Sequence, residues 1–518
     1  MYRLLTPLIT LLLLSACTPG GADYSYSDSV YTPAAEAAAD LISEDYIRPH
    51  IAALSDDAMG GRGPASEGDV MARTYIAEEM ARLGFQPGAP DGGWEQPFDI
   101  VGINATTPQA WSFTNGQSEI SVRWWDQYVA TSGVQTERAS IEDAEVVFVG
   151  YGIEAPEYNW DDFKGRDLAG KVLLILNSDP DWDPDLFEGK TRLYYGRWTY
   201  KFESAARQGA AGAIIIHTTP SAGYPFQVVQ TSWSGEQFEL PAEDKPRIQV
   251  SGWLSEDAAN ALVSFAGMDL ASLTETARSV DFEPVPLGLT TSITLTNEIS
   301  RVQTANVIGV LPGRDPDLAA EYVVYTAHHD HLGIGAPNDA GDTIYSGARD
   351  NASGTAMALA VGRAIAAHPE PPRRSTMLLF VGAEEQGLLG SKYFATHPTV
   401  PPGKIAANIN YDSGNIWGRT RNITLIGLGK SSLDSVAQAI ARRQERTVDA
   451  DQFADRGYYY RSDQFSFAKI GVPALYFHTG TDFVGRPEGW GEEQINAYNS
   501  TNYHQPSDTL SDDWNFDG

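Results

Sequence analysis

Five short segments of the chain carry side chains able to hold metal ions. They are Ala327-His328-His329-Asp330-His331-Leu332-Gly333, Gly347-Ala348-Arg349-Asp350-Asn351-Ala352-Ser353-Gly354, the pair Glu384-Glu385, Asn410-Tyr411-Asp412, and Tyr503-His504-Gln505-Pro506-Ser507-Asp508. Imidazole mixed with carboxylate suits a borderline-soft divalent ion such as zinc. The donors exceed what one tetrahedral ion accepts. Two ions sharing a carboxylate would use them all, which points to metal-assisted hydrolysis.

Such donors must be brought together by regular elements. From Asn306 onward the pattern alternates strand and helix. Tyr322–Ala327, Met377–Gly382, Ile405–Ile409 and Ala474–Phe477 read as strands, and Ala352–Ala367, Glu385–Thr396 and Leu433–Arg443 as helices. That alternation predicts an α/β fold, a mostly parallel doubly wound sheet with helices on both faces. His328, Glu384, Glu385 and Asp412 each follow a strand, and Asp350 precedes a helix in a Gly-rich turn. Open α/β sheets bind ligands at the carboxyl ends of their strands, so residues distant in sequence can converge on one rim. Three of the nine histidines fall within His328–His331, which scattered loop polarity does not explain.

His-x-Asp, Asp-Asn-Ala-Ser-Gly, Glu-Glu-x-Gly-x-x-Gly-Ser (Glu384 to Ser391), Asp412 and Tyr-His-x-x-x-Asp-Thr (Tyr503 to Thr509) resemble, in order, the motifs of the co-catalytic zinc aminopeptidases of family M28. The resemblance covers roughly 300–518, and Asp56 to Arg62 is similar to the lead-in of its bacterial members. It implies a zinc exopeptidase-like fold with two zinc ions per chain. Asp350 would bridge both, His328 and Asp412 would complete one set of ligands, and Glu385 and His504 the other. Glu384 would be the general base that activates the attacking water. Asp330 would orient the His328 ring, and Tyr503 would donate to the developing oxyanion or, equally, simply pack. The implied activity is release of N-terminal residues from peptides. A carboxypeptidase or dipeptidase on the same site is the alternative. A glutaminyl-cyclase-like transferase, which uses one zinc, and a non-enzymatic binding module fit the complete ligand set less well. Two positions depart from the family: His329 where tyrosine is frequent, and Arg349 where an acid is frequent. Arg349 either attracts a substrate carboxylate or pairs with a surface acid. His331 and His478 are expected to be non-ligands. Arg461 to Phe465 resembles a substrate-pocket segment, without an assigned contact.

The remaining chain divides by composition. Residues 1–17 read as an export signal, with an apolar run from Leu8 to Leu14 too short to span a bilayer. Leu14-Ser15-Ala16-Cys17 resembles a bacterial lipobox, implying cleavage before Cys17, acylation of that cysteine and an outer-membrane anchor. No second cysteine exists to form an intrachain disulfide. Residues 18–40 read as a tether, 41–139 as the first part of the peptidase domain, 140–290 as an insert and 291–518 as the catalytic domain. Asp69 is expected to cap a helix running to Leu83, and Ser255 another within Trp253–Phe265. The insert resembles a protease-associated domain through Val149 to Ile153 and Gly170 to Val172, and is expected to be α/β or β-rich. Its lone His217 reads as structural. A length of 518 residues with 42% hydrophobic content supports more than one packed unit. A net charge of −32 disfavours nucleic acid as a partner.

Overall fold

The computed structural model describes residues 32–518. The expected signal, Cys17 and the tether through residue 31 lie outside the described residues.

The centre of the catalytic domain is the strand Ser375–Val381, buried at every position. It pairs in parallel with Tyr322–His328, which pairs in parallel with Ile405–Asn410, and this pairs in parallel with Ala474–Thr479. Side chains alternate between sheet faces along such a strand. Leu378 and Phe380 accordingly pack with Ile76, Met80 and Leu359, from the helices Glu67–Arg82 and Gly354–Ala367. Met377, Leu379 and Val381 pack on the other face with Phe394 and Phe467, from the helices Leu389–Thr396 and Gln464–Lys469. This is the expected α/β sheet covered on both faces. Antiparallel strands border it. Asn422–Ile426 pairs antiparallel with Ala474–Thr479 at one side, and Val285–Leu311 pairs antiparallel with Ser375–Val381 at the other.

The insert is a smaller α/β unit. Arg138–Phe148, Val172–Leu176, Gly212–His217 and Val250–Ser255 form a parallel set, closed by antiparallel Tyr128–Ser132. The 27-residue strand Val285–Leu311 runs through position 290, with shifts of register against Arg138–Phe148 between Pro286 and Thr290 and between Thr291 and Ile293. It pairs with Arg138–Phe148 of the insert, then with Glu95–Thr106, and finally with the central strand of the catalytic sheet.

Several local expectations shift. Ser66, not Asp69, caps the helix Glu67–Arg82, accepting the Asp69 N–H at 3.2 Å. The Asp69 carboxylate instead turns inward to His329 Nε2 at 2.9 Å and the Thr304 hydroxyl at 2.8 Å. Trp253 lies in the strand Val250–Ser255, and Ser255 caps the helix Glu256–Phe265 that follows. The helix expected from Glu385 starts only at Leu389, because the Glu384 and Glu385 N–H groups are drawn to the Asp330 carboxylate at 3.0 and 3.3 Å. Among the described residues, no helix is long and apolar enough to cross a membrane.

Candidate metal centre

The strand ends deliver the donors to one rim. His328 closes its strand, and its ring is fully buried. The Asp350 carboxylate enters from the turn ahead of the helix Gly354–Ala367. That turn is held by Asp508, whose carboxylate accepts the Arg349 N–H at 3.2 Å and the Asp350 N–H at 3.0 Å. Asp412 follows the strand Ile405–Asn410, and Glu384 and Glu385 follow Ser375–Val381. His504 comes from the loop after the helix Trp490–Thr501.

Asp350 divides its two oxygens. Oδ1 lies 3.3 Å from His328 Nε2, and Oδ2 lies 3.5 Å from His504 Nε2. Asp412 Oδ1 is 3.5 Å from the same His328 nitrogen, and Glu385 Oε2 is 3.0 Å from the His504 nitrogen. Two donor sets therefore meet at one carboxylate. A tetrahedral ion with ligands at about 2.0–2.1 Å keeps its ligand atoms roughly 3.3 Å apart, the spacing found in both sets. His504 Nε2 is buried without a hydrogen-bond partner. Its Nδ1 is 2.8 Å from Ser232 Oγ, so the ring is already oriented from behind. A buried nitrogen left unpaired beside carboxylates is costly unless a cation completes it. The residues fit a pair of divalent ions. Glu384 lies further back, with Oε2 4.0 Å from His328 Nε2.

The electrostatics separate the adjacent glutamates. Burial pushes the Glu384 carboxyl well above the usual range, and the Glu385 charge adds to the effect. Burial acts the same way on Glu385, but His504 and His331 together outweigh it and bring this carboxyl down to about 2. Burial likewise opposes the Asp350 charge, and hydrogen bonding to His328 and His504 prevails to hold it well below the ordinary value. Paired carboxyls driven apart in this way suit one ligand and one proton carrier.

The structure places the other candidate residues around this centre. His328 Nδ1 lies 3.2 Å from the Asp330 carbonyl and 3.7 Å from its carboxylate. Asp330 thus faces the ring mainly through its backbone, while its carboxylate fixes the Glu384 and Glu385 turn. Tyr503 stacks on His504 with ring centroids 3.9 Å apart, and its hydroxyl accepts from Arg461 Nη2 at 3.0 Å. Arg349 donates to the Gly414 carbonyl and lies over the Tyr498 and Trp417 rings at 4.2 and 4.7 Å, in place of the surface salt bridge weighed above. His478 bonds Tyr476, which reaches Asp412 at 3.4 Å. His217, in the insert, is buried against the Tyr224 carbonyl.

Sequence reasoning left out four supports. His331 Nδ1 contacts Glu385 Oε1 at 2.6 Å, close enough that His331, Asp350 and Glu385 also form a compact donor group. Asp508 holds the bridging turn. Arg62 is buried beneath the centre and donates to the carbonyls of Leu54, Ser346, Gly347 and His329. Ser232 reaches in from the insert. Asp508 and Arg62 sit inside quoted motifs, so a signal existed for them, whereas nothing local marks Ser232.

The profile of Peptidase family M28 matches residues 306–516. These residues form an M28 peptidase domain. Leupeptin-inactivating enzyme 1 of Streptomyces exfoliatus is 25% identical over 210 residues, 40% of this chain and 43% of that protein. Aminopeptidase YwaD of Bacillus subtilis (strain 168) is 25% identical over 220 residues, 42% of this chain and 41% of that protein. The chain thus spans less than half the length of these curated relatives. The solved aminopeptidase from Aneurinibacillus sp. strain AM-1 superposes with a TM-score of 0.53 at 18% identity, covering 93% of this chain and 91% of that one. The likeness in fold therefore extends through the insert as well as the M28 domain.

Proposed function

We propose that this protein is a di-zinc exopeptidase, foremost an aminopeptidase, that works on peptides outside the cytoplasm. The observation that carries the reading is the split Asp350 carboxylate, with one oxygen toward each buried imidazole. His328, Asp350 and Asp412 would hold one ion, and Asp350, Glu385 and His504 the other. Two ions so held supply Lewis acidity to the scissile carbonyl and lower the pKa of water. Glu384 takes the proton of the attacking water and passes it to the leaving amine, a task suited to a buried carboxyl with a raised proton affinity. Tyr503 accepts from Arg461, so its own O–H stays free to donate to the oxyanion. Burial first, aided by the nearby Asp350 charge, raises the Tyr503 hydroxyl well above its ordinary value, which keeps that proton in place.

The test is zinc stoichiometry by elemental analysis, together with digestion of peptides blocked at one end. Two zinc ions and cleavage only of peptides with a free amine support the reading. Cleavage of N-acetylated peptides alone would make the enzyme a carboxypeptidase, and a single zinc would favour the cyclase-type alternative. Lipid anchoring at Cys17 belongs to the same proposal. Mass spectrometry of the mature N-terminus should find an acylated cysteine, and an unmodified one would remove the anchor.

A further inference from the structure

A cleft beside the metal centre is lined by Glu384, Glu385, Tyr503, Arg197, Arg461 and Lys392. The chain carries 68 acidic residues against 36 basic ones, so a cation here has a surplus of partners to choose from. Arg197 and Arg461 have taken none. Among the described residues neither guanidinium is ion-paired, and Arg197 Nε is buried with no hydrogen-bond partner at all. Arg461 is held only by Tyr503 at 3.0 Å and by the faces of Tyr458, Tyr224 and Tyr503 at 5.1 to 5.7 Å. Apart from Glu384 and Glu385 at the metal centre, the acids sharing the cleft wall are engaged elsewhere. Glu239 pairs with Arg247, Glu243 pairs with Lys245, and Glu203 accepts from the Tyr194 hydroxyl.

The two guanidiniums also sense each other. Burial lowers Arg197, and the like charge of Arg461 lowers it further, to about 9. Two partly buried cations brought together with no carboxylate paired to either are unfavourable. Guanidinium is also the side chain whose planar fork matches a carboxylate. The two come from different units, Arg197 from the start of the insert helix Trp198–Arg207 and Arg461 from the catalytic domain. Arg461 reaches His504 through one side chain, Tyr503, which touches both. We propose that Arg197 and Arg461 form a clamp for a carboxylate on the substrate residue next to the scissile bond. The clamp rests on the exopeptidase reading above and narrows it to peptides bearing such an acid. The carboxylate has two sources, the free terminus of a short peptide or an aspartate or glutamate side chain.

The experiment uses the zinc-loaded full chain and two substrate pairs. One is a dipeptide with a free carboxyl against its amide. The other is an amidated tripeptide with glutamate against glutamine beside the cut bond. An interaction with a charged partner predicts roughly a tenfold or larger preference in kcat/KM for the acid of at least one pair. The pair that discriminates identifies the source. The preference should fall toward one in Arg197→Gln and in Arg461→Gln, and survive in part in Arg197→Lys. Lysine keeps the charge and most of the bulk, which guards against a misfolded glutamine variant. Hydrolysis with no acid preference in either pair overturns the clamp and leaves the exopeptidase reading intact. If no peptide is cleaved, glutarate binding is titrated by tryptophan fluorescence. Binding weakened about tenfold or more by Arg197→Gln keeps the clamp without the peptidase, and equal binding by both proteins overturns it.

Discussion

On the proposed reading Ser232 makes the insert part of the metal centre, and its replacement tests that. The residue ends the insert helix Phe226–Ser232, and its hydroxyl is 2.8 Å from His504 Nδ1. Thr231 beside it donates to the His504 carbonyl at 3.2 Å. When Nδ1–H donates to this hydroxyl, the ring presents its Nε2 lone pair toward Glu385 and Asp350, as an ion there requires. Ser232→Ala removes that tie and leaves the packing nearly unchanged. Loss of such a supporting partner typically weakens metal binding about 10–100-fold, or about 1.4–2.8 kcal/mol. The geometry sharpens the expectation, because His328 and Asp412 make no contact with Ser232. A zinc titration against a competing chelator should therefore turn biphasic, one ion leaving early and the other binding as in wild type. Ser232→Thr, which keeps the hydroxyl, should restore most of the affinity. Unchanged affinity for both ions, or equal weakening of both, would refute the assignment of His504 to one ion under the control of the insert.

Glu384→Gln should keep two zinc ions and the wild-type melting temperature while losing most of kcat, and near-normal turnover would remove Glu384 from the chemistry. Asp350→Ala should release both ions, whereas Asp412→Ala should release one, as read by elemental analysis after dialysis. His217 gives a pH dependence of stability. Burial lowers its imidazole to about 4, so the unfolded chain takes up the proton first as the pH falls. The stabilising contribution is complete above about 6.5 and is lost between there and about 4, an amount of up to about 3 kcal/mol. Urea melts at pH 7 and 4.5 should show a smaller acid penalty in His217→Gln, and identical pH slopes would exclude His217 as the cause. Arg62→Met strands the buried carbonyls of Leu54, Ser346 and His329, while that of Gly347 keeps the Ala352 N–H, and should lower stability by at least about 3 kcal/mol in the same assay.

The catalytic rim was legible because its donors follow strands whose apolar runs are unmistakable. Tyr322–Ala327 and Met377–Gly382 could be placed, and so could the residues after them. Helix starts were less legible, since they depend on partners remote in sequence. Glu385 is delayed from helix by Asp330, and Asp69 is withdrawn from its cap by His329 and Thr304. Propensity describes each segment alone, and these carboxylates gain more from buried hydrogen bonds than from local capping. His331 is expected to be a non-ligand, and the sequence carries no sign of its 2.6 Å contact with Glu385, which only the folded rim brings about. Ser232 and Arg197 had no legible signal, because their chemistry exists only across the joint between two units.

That joint explains how an insert can act on a catalytic site. A domain tied by a flexible linker could not hold Ser232 within 2.8 Å of a ring in another unit, because the ordering entropy would exceed the worth of one hydrogen bond. Here the tie is the strand Val285–Leu311, which belongs to both sheets, braced along Glu95–Thr106 by a ladder from Thr296 opposite Thr106 to Val307 opposite Glu95. The backbone bonds of that ladder fix the insert's position independently of the side chains in the cleft. The entropy of alignment is thus met by folding, not by Ser232 or Arg197. Both can then spend their interactions on the metal ligand and the substrate. A break in the ladder, by proline at an inward-bonded position of Glu95–Thr106, should on the proposed di-zinc reading weaken zinc binding at the His504 set before it disturbs binding at the His328 set.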